Sequence, residues 1–548
     1  MKKFYLLLLG ILILATTLRV YQLDKVPVEL FGDELDVGYQ AYSILKTGSD
    51  IYNQHLPVFI HSLAEYRAPL FIYSAVPGVA IFGLNEWGVR IPAVFWGVIS
   101  IIGLFFLTKE LFNERVALIA ALFLAISPWH IHYSRAAFEV TMLLGFLIFA
   151  TLFFIKGLKN SWYLFLAITL FALTPYIYST AIVFMPLLLL ILIFLNKNTL
   201  RKNYRLLLSG AIIFLIILLP YGINTFSGKT GERFNSISIF AEKSLQEKVL
   251  IAQQTESLPL HLERLLHNKP LIYGQYFAMN YLRAFSPEFL FLNGDPNFRQ
   301  SVHEMGVMYI YEIVPLLLGI WLLIKRSRES LLVLGWLLLA PLPAALTYDG
   351  GFHATRNFLM LVPLSILVAH GLTYLLERKN KLGKCLFILV LIMGIFNVIF
   401  FLNRYFYNYP KESWRAWNYG FKESLQYVAD NQNSYNRIFI NNSYEPSLER
   451  FLFWTKYDPA KFHQEFSGDK TIKNITAGFN GFQLENRYYF GSFNEPFENI
   501  LKNNELFVAS SREDLTNPEI IVSGNLKLQK IVRSPSGEVI LYLVKGTK

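Results

Sequence analysis

Long apolar runs separated by short polar turns set the pattern of the chain from residue 4 to about residue 402. A helix that crosses a bilayer needs about 20 mainly apolar residues. By that measure the runs near 4–23, 89–109, 115–133, 136–156, 161–178, 180–196, 204–223, 305–324, 330–347, 355–376 and 384–402 predict about eleven transmembrane helices. Pro175 and Pro186 interrupt the pair between 161 and 196, where the intervening turn is also short. Beyond residue 403 the apolar runs shrink to strand length, and Asn, Ser, Glu and Lys become frequent. Strands are predicted over 437–440, 488–493, 506–510, 527–532 and 539–544, and a helix over 424–430. Pro535-Ser536-Gly537 reads as a hairpin turn between the last two strands. The expected architecture is a polytopic α-helical membrane protein, residues 1–402, followed by a soluble extracytoplasmic α/β domain, residues 403–548.

The polar pattern between the first two spans is not that of a plain linker. Phe31-Gly32-Asp33-Glu34-Leu35-Asp36 puts three carboxylates within four residues, just past the first apolar run. A helix is expected from Asp33 to about Lys46, with Asp33 as its cap and Glu34 and Asp36 favourable in its first turn. Gly48-Ser49-Asp50 ends it in a turn. A second helix is expected to follow Arg67-Ala68-Pro69, its apolar positions at Leu70, Tyr73, Val76 and Val79 facing the membrane interface. Trp87 and Arg90 then mark the return to the bilayer as interfacial side chains.

Composition agrees with this pattern: 54% of the 548 residues are apolar and 16% charged, against about a quarter charged in soluble domains. A net charge of +11 raises nucleic acid as a partner, but the basic residues gather in short loops between apolar runs. With Lys2 and Lys3 in the cytoplasm, alternation puts Lys109/Arg115, Lys156/Lys159, Lys197/Arg201/Lys202/Arg205, Lys325/Arg326/Arg328 and Arg378/Lys379/Lys381/Lys384 on the same side. That is the topology rule for membrane proteins and not a nucleic-acid patch. The large segments 24–88, 225–304 and 403–548 then all lie on the opposite face. The first run is followed by no small-x-small cleavage site and reads as a retained signal anchor. The single Cys385 excludes an internal disulfide framework and a cysteine metal cluster.

Charge at the ends of spans needs a reason. Besides Asp33, Glu34 and Asp36, the outer ends carry Arg67, then Arg135 and Glu139, then Asp295, Arg299, His303 and Glu304, and finally Asp349, His353 and Arg356. Each has a bland reading: Arg135 and Glu139 as an i,i+4 helix pair, Asp295-Pro296 as a turn, His303 as a packed histidine, Arg356 as a snorkelling side chain. Taken together, a carboxylate facing several arginines suits transfer from a lipid phosphate. The base takes the acceptor's proton, and the arginines hold the phosphate as charge develops on it. There is no Gly-rich phosphate loop with Lys-Ser/Thr, no HExxH and no CxxC. This argues against a nucleotide-sugar donor and against a membrane zinc protease.

The pattern Asp33-Glu34, then Arg67-Ala68-Pro69-Leu70, then Val89-Arg90-Ile91-Pro92 resembles the membrane glycosyltransferases of the GT-C fold class. It is most similar to their bacterial protein O-mannosyltransferase-like and lipid A aminoarabinose transferase-like branch. Ser127-Pro128-Trp129 with 135–139, and the stretch 291–299, carry the resemblance further. Two positions depart from the usual Lys-Pro-Pro-Leu: Arg67 keeps the charge with a different geometry, and Ala68 replaces a proline. The resemblance covers roughly residues 1–400. It implies an inverting transfer of a sugar from a polyprenyl-phosphate donor to a protein, lipid or glycan acceptor, on the extracytoplasmic face of a bacterial plasma membrane. It implies Asp33 as general base with Glu34 supporting it, and Arg67 on the lipid phosphate. Arg135, Glu139, Arg299, His303 and Arg356 are the further donor-side residues. A divalent cation serves some members of the class, but no compact ligand set is visible in this sequence. Two other classes compete: a lipid or glycan flippase, which calls for ionisable groups near mid-span, and a non-catalytic binding protein of the cell envelope.

Overall fold

The computed structural model describes residues 2–63, 65–202, 204–228, 237–241, 245, 247, 251, 268–324, 327–442, 444–466, 473–476, 478–516, 521 and 526–547. The expected cytoplasmic positions Lys325 and Arg326, and most of residues 229–267 within the expected outer segment 225–304, lie outside the described residues. The chain divides into two compact units. One comprises Met1–Tyr21, Glu65–Phe71 and Ala93–Arg404, the other Gln22–Ala64, Ile72–Pro92 and Tyr405–Lys548.

The first unit is helical. Among the described residues, seven helices of the chain are long and apolar enough to cross a membrane: Lys3–Val20, Glu86–Leu111, Val140–Gly157, Leu207–Phe226, Arg328–Ala345, Ala354–Glu377 and Lys381–Ser413. The protein is therefore an integral, multi-pass membrane protein. Three other expected spans correspond to shorter apolar helices, Ser161–Tyr176, Ala181–Leu195 and Ile310–Leu323. The run at 115–133 is broken into Glu114–Ile126 and Pro128–Tyr133, because Ser127 ends one helix and caps the next, with Pro128 in the first turn. Helices pack closely where side chains are smallest. A Cβ on Gly319 would stand 1.9 Å from the Leu367 carbonyl oxygen, and one on Gly371 1.8 Å from that of Pro315. Helix Ile313–Leu323 thus lies directly on the backbone of Leu361–Glu377. At the end of the first span, α1 (Lys2–Val20), Arg19 is fully buried and donates to the carbonyls of Ala15 and Ala125, with His130 Nδ1 at 2.6 Å.

The second unit holds a seven-stranded sheet. Two short strands precede it in the chain, β1 (Ile60–His61) and β2 (Tyr66–Arg67). The sheet strands are β3 (Arg437–Asn441), β4 (Lys473–Thr476), β5 (Phe479–Leu484), β6 (Tyr488–Phe493), β7 (Glu505–Ser510), β8 (Leu526–Arg533) and β9 (Val539–Gly546), in the order β4-β5-β6-β3-β7-β9-β8. β3 is parallel to both neighbours, and its residues Ile438, Phe439 and Ile440 are completely buried, as a strand covered on both faces must be. The remaining pairs are antiparallel. Phe439, Phe479, Tyr489, Phe497, Phe507 and Tyr542 form an aromatic core on one face. All five strands expected from the sequence are present within two residues of their expected ends. The turn at 535–537 closes β8 onto β9, with Gly537 at φ 90°. The unit also contains the helices Phe421–Asn431, Ser447–Trp454 and Pro459–Glu465.

Candidate active site

The helix that carries the three carboxylates, α2 (Gly32–Thr47), belongs to the second unit. Its N-cap is Phe31, in extended backbone and without a side-chain cap hydrogen bond. This corrects the expectation that Asp33 caps the helix: the cap lies two residues earlier, so Asp33 and Glu34 both fall within the first turn. There the positive end of the helix dipole favours both charges. Gly48, left-handed at φ 73°, closes the other end by donating its N–H to the Ile44 carbonyl. The helix is anchored from within its own unit. Tyr39 Oη donates to the Tyr457 carbonyl at 3.0 Å, and a Cβ on Gly38 would lie 2.4 Å from the Phe453 ring and 2.6 Å from Val89.

The three carboxylates meet different surroundings. Glu34 is fully buried and forms a two-oxygen pair with Arg90, Nε to Oε1 at 3.0 Å and Nη2 to Oε2 at 3.1 Å. Arg90 is itself fully buried. Its remaining donors go to the carbonyls of Leu23 and Pro27, both at 2.9 Å, and of Glu29 at 2.8 Å. All five guanidinium N–H groups are thereby used. Asp36 is buried and accepts from Gln40 Nε2 at 3.3 Å. Gln40 also holds the His61 carbonyl and the Ile51 N–H, which ties the helix to the returning loop. Asp33 alone of the three is partly exposed. Arg90 is thus no interfacial marker, as its position at the start of a span implied. It is the clamp on Glu34 and on the loop before α2, and the reading from sequence missed it because its partner lies 56 residues away. Its one signal was an arginine five residues into a span-length apolar helix, Glu86–Leu111. Glu29, in the same loop, accepts from the N–H groups of Gly420 and Lys422, both at 2.7 Å. Burial pushes its carboxyl up to about 8.

The other expected site residues belong to the first unit. Arg67 is 9% exposed and stands 3.6 Å from Glu139 and 3.8 Å from Glu65. Glu139 immediately precedes the helix Val140–Gly157, so the 135–139 segment is not helical and the i,i+4 reading of Arg135 with Glu139 does not apply. Arg135 is fully buried and donates to the Leu18 and Arg19 carbonyls at 2.9 and 3.0 Å, closing the C-terminal end of α1. Arg299 and His303 share one loop. His132 donates Nε2 to the Arg299 carbonyl at 2.8 Å, and His303 stacks on Phe298 at 3.4 Å and donates to the Pro296 carbonyl. Arg356 pairs with Asp349 and donates to Thr347 Oγ1 at 2.7 Å, so it does more than snorkel.

Beside Asp349 and His353 opens a cavity of about 290 Å³, lined also by Asn280, Arg283, Asp295, Asn297 and Gln300. Arg283 lies 5.4 Å from the centre of the Phe352 ring. Asp295 accepts the Asn297 and Ala354 N–H groups, both at 2.8 Å, and burial pushes its carboxyl up to about 6. An arginine, three amide side chains, two carboxylates, an imidazole and an aromatic ring around one cavity can hold a phosphorylated, hydroxyl-rich group. Arg283 was not singled out from sequence, since an arginine ending an amphipathic helix, Lys269–Arg283, carries no distinguishing local signal. Among the described residues, no group of three or more His, Cys, Asp or Glu side chains is arranged to hold a metal ion.

The comparisons with known proteins agree on the architecture. The sequence model of the dolichyl-phosphate-mannose-protein mannosyltransferase family matches residues 66–223. A Bacillus subtilis (strain 168) protein named "Putative mannosyltransferase YycA" is 25% identical over 171 residues, 30% of this chain and 25% of its own length. The match thus spans about a quarter of that relative. Among solved structures, ArnT from Cupriavidus metallidurans in the apo state aligns with 99% of this chain and 98% of its own, at TM-score 0.53 and 12% identity. The same enzyme bound to undecaprenyl phosphate aligns at TM-score 0.50, also 12% identical, covering 98% and 97% of the two chains. The oligosaccharyltransferase AglB from Archaeoglobus fulgidus, in complex with an inhibitory peptide and a dolichol-phosphate, aligns at TM-score 0.50 and 12% identity. That alignment covers 82% of this chain and 63% of AglB, under two thirds of its length. At these identities the likeness to solved structures is one of fold. The resemblance to GT-C-type, mannosyltransferase-like membrane proteins, read from the loop motifs, is borne out by the family match and by that fold.

Proposed function

We propose that this chain, with the membrane fold it shares with ArnT and AglB, is an inverting glycosyltransferase. It moves a sugar from a polyprenyl-phosphate donor to an acceptor on the extracytoplasmic face. The observation that carries the reading is the sorting of the carboxylates on α2. Glu34 and Asp36 are buried and engaged, and Asp33 keeps solvent access in the first turn of a firmly anchored helix. A general base needs that combination of fixed position and access to the acceptor. In this reading Asp33 takes the acceptor's proton as its oxygen or nitrogen attacks the anomeric carbon. Glu34, locked by Arg90, fixes the turn on which Asp33 stands. The bond from the anomeric carbon to the phosphate oxygen breaks, and the electron pair leaves with the lipid phosphate. Arg67 binds that phosphate, with Glu139 setting its orientation. Arg299 and His303 lie on the loop, and Arg356 in the short helix Ala354–Asn357, that border the Arg283 cavity, whose amides and ring suit a sugar. Arg135 serves the backbone of α1 and supports the donor side from there.

The test uses the purified full-length protein with a panel of polyprenyl-phosphate sugars, separating products with hexoses from those with pentoses. Asp33→Asn retains the shape of the helix start. It is expected to melt as the parent does while turnover falls by about 10²–10⁴-fold, the usual weight of a positioned base. Turnover within about threefold of the parent, set against that loss, removes Asp33 from the reaction. Movement of intact donor lipid without covalent transfer would instead establish a flippase.

A further inference from the structure

The second unit contains a cavity that the proposed reaction does not use. It measures about 390 Å³ and is lined by Asp24, Lys25, Glu29, Tyr419, Lys422 and Glu423, among others. Its size falls within the usual range for small-molecule sites, about 300–1,000 Å³. Its walls carry charges of both signs at fixed places. Lys422 is held by Glu86 at 2.5 Å, and Glu423 by Lys530 at 3.0 Å. Lys25 is exposed and has no ion pair among the described residues. Glu86 is the first residue of the helix Glu86–Leu111, which is long and apolar enough to cross a membrane, so the Lys422 wall is tied to the start of that helix. A wall tied there is within reach of the headgroup region that flanks the hydrocarbon core.

We propose that this cavity binds a zwitterionic phospholipid headgroup, one with a phosphate and a primary ammonium. Lys25 and Lys422 receive the phosphate, and Asp24 and Glu423 receive the ammonium. A solely anionic headgroup leaves the two acids facing a phosphate, and a bulky quaternary ammonium cannot donate the hydrogen bonds these carboxylates accept. Occupancy reaches the Glu34 carboxylate of α2 through one residue. The Glu29 side chain lines the cavity and holds the Gly420 and Lys422 amides, while the Glu29 carbonyl receives Arg90 Nη2, whose other bond is to Glu34. A lipid that steadies the Lys422 turn therefore steadies the Arg90–Glu34 clamp. The inference does not depend on which reaction the protein catalyses.

The test is lipid retention by the intact, delipidated protein, measured by native mass spectrometry, with thermal melting measured in parallel. The probes are phosphatidylethanolamine, phosphatidylcholine, phosphatidylglycerol and inorganic phosphate. Phosphatidylethanolamine is expected to be retained about tenfold more strongly than the other two lipids and to raise the melting temperature. Lys25→Glu and Glu423→Gln, both outside the catalytic carboxylates, should each abolish that preference while leaving the lipid-free melting temperature unchanged. Equal retention of the three lipids, or preference unaltered in both variants, overturns the proposal. A melting shift reproduced by inorganic phosphate alone overturns the lipid source and leaves a phosphate site.

Discussion

Replacing Arg90 by Met removes the guanidinium and keeps a side chain of similar length. In the parent, both Arg90 and Glu34 are completely buried, and every N–H of the guanidinium is matched. Arg90→Met strands the Glu34 carboxylate in the interior, which by itself costs about 3–5 kcal/mol. It also deprives the Leu23, Pro27 and Glu29 carbonyls of a donor, each worth up to about 1–3 kcal/mol where water cannot enter. Taking only the first contribution, and about 2–4 °C per kcal/mol for a unit of roughly 200 residues, the melting temperature should fall by about 6–20 °C. The assay is thermal unfolding of the detergent-solubilised protein, followed by size-exclusion chromatography of the surviving fraction. The double variant Arg90→Met with Glu34→Leu replaces the ion pair by apolar groups, and such exchanges are often near neutral. It should therefore melt well above the single variant, so the two substitutions should couple strongly and favourably. An Arg90→Met protein that melts within about 2 °C of the parent, below the loss expected from one stranded charge, refutes the clamp.

Other outcomes follow from the same geometry. Arg67→Ala should weaken use of the lipid-phosphate donor by about 2–5 kcal/mol in apparent affinity, read as KM in a product assay. Unchanged donor kinetics in a folded variant would free Arg67 of that role. Gly38→Ala gains about 1 kcal/mol of helix preference but drives a methyl into Phe453 and Val89, costing about 1–3 kcal/mol. A net loss of up to about 2 kcal/mol in unfolding experiments is expected. Glu29 should make stability fall with rising pH. Its carboxyl, raised by burial from 4.5 to about 8, keeps a proton in the folded chain that the unfolded chain has released between those values. Melting measured across that interval should slope less in Glu29→Gln than in the parent, and equal slopes would exclude this linkage. Asp33→Asn, with turnover lost and melting retained, is the fourth outcome of this kind.

Much of the fold was legible because apolar length and periodicity are local properties. The strand residues 488–493 and 539–544 announce themselves by aromatic and β-branched side chains between turn residues. β4 and β5 escaped because Asn474, Asn480 and Gly481 weaken that signal, and only pairing with β6 makes Phe479 and Phe482 part of a sheet. Among the described residues seven helices reach span length, and the run at 115–133, which hydropathy alone reads as one span, is divided at Ser127-Pro128. At the site, the acidic cluster was visible and its sorting was not. Nothing local distinguishes Glu34 from Asp33; the difference comes from Arg90, brought in by a helix that starts 52 residues after Glu34. Arg135 and Arg67 look alike in sequence. One answers backbone carbonyls and the other carboxylates, because the end of α1 leaves acceptors that only a buried donor can satisfy.

The order in which the second unit is made follows from its pairings. The Tyr39 hydroxyl waits for the carbonyl of a residue 418 positions later, and the Glu29 carboxylate for an amide 391 positions later. At about 5–20 residues per second, a ribosome delivers those partners roughly 20–80 s after α2 has emerged. For that interval the carboxylate helix has the Arg90 clamp but lacks the contacts to Gly420 and Tyr457, while the intervening spans are being inserted. A nascent chain halted before residue 420 therefore has a complete acidic motif that is only partly supported. On the proposed reading, Asp33 gains its full setting only once the segment carrying Gly420 and Tyr457 has been made.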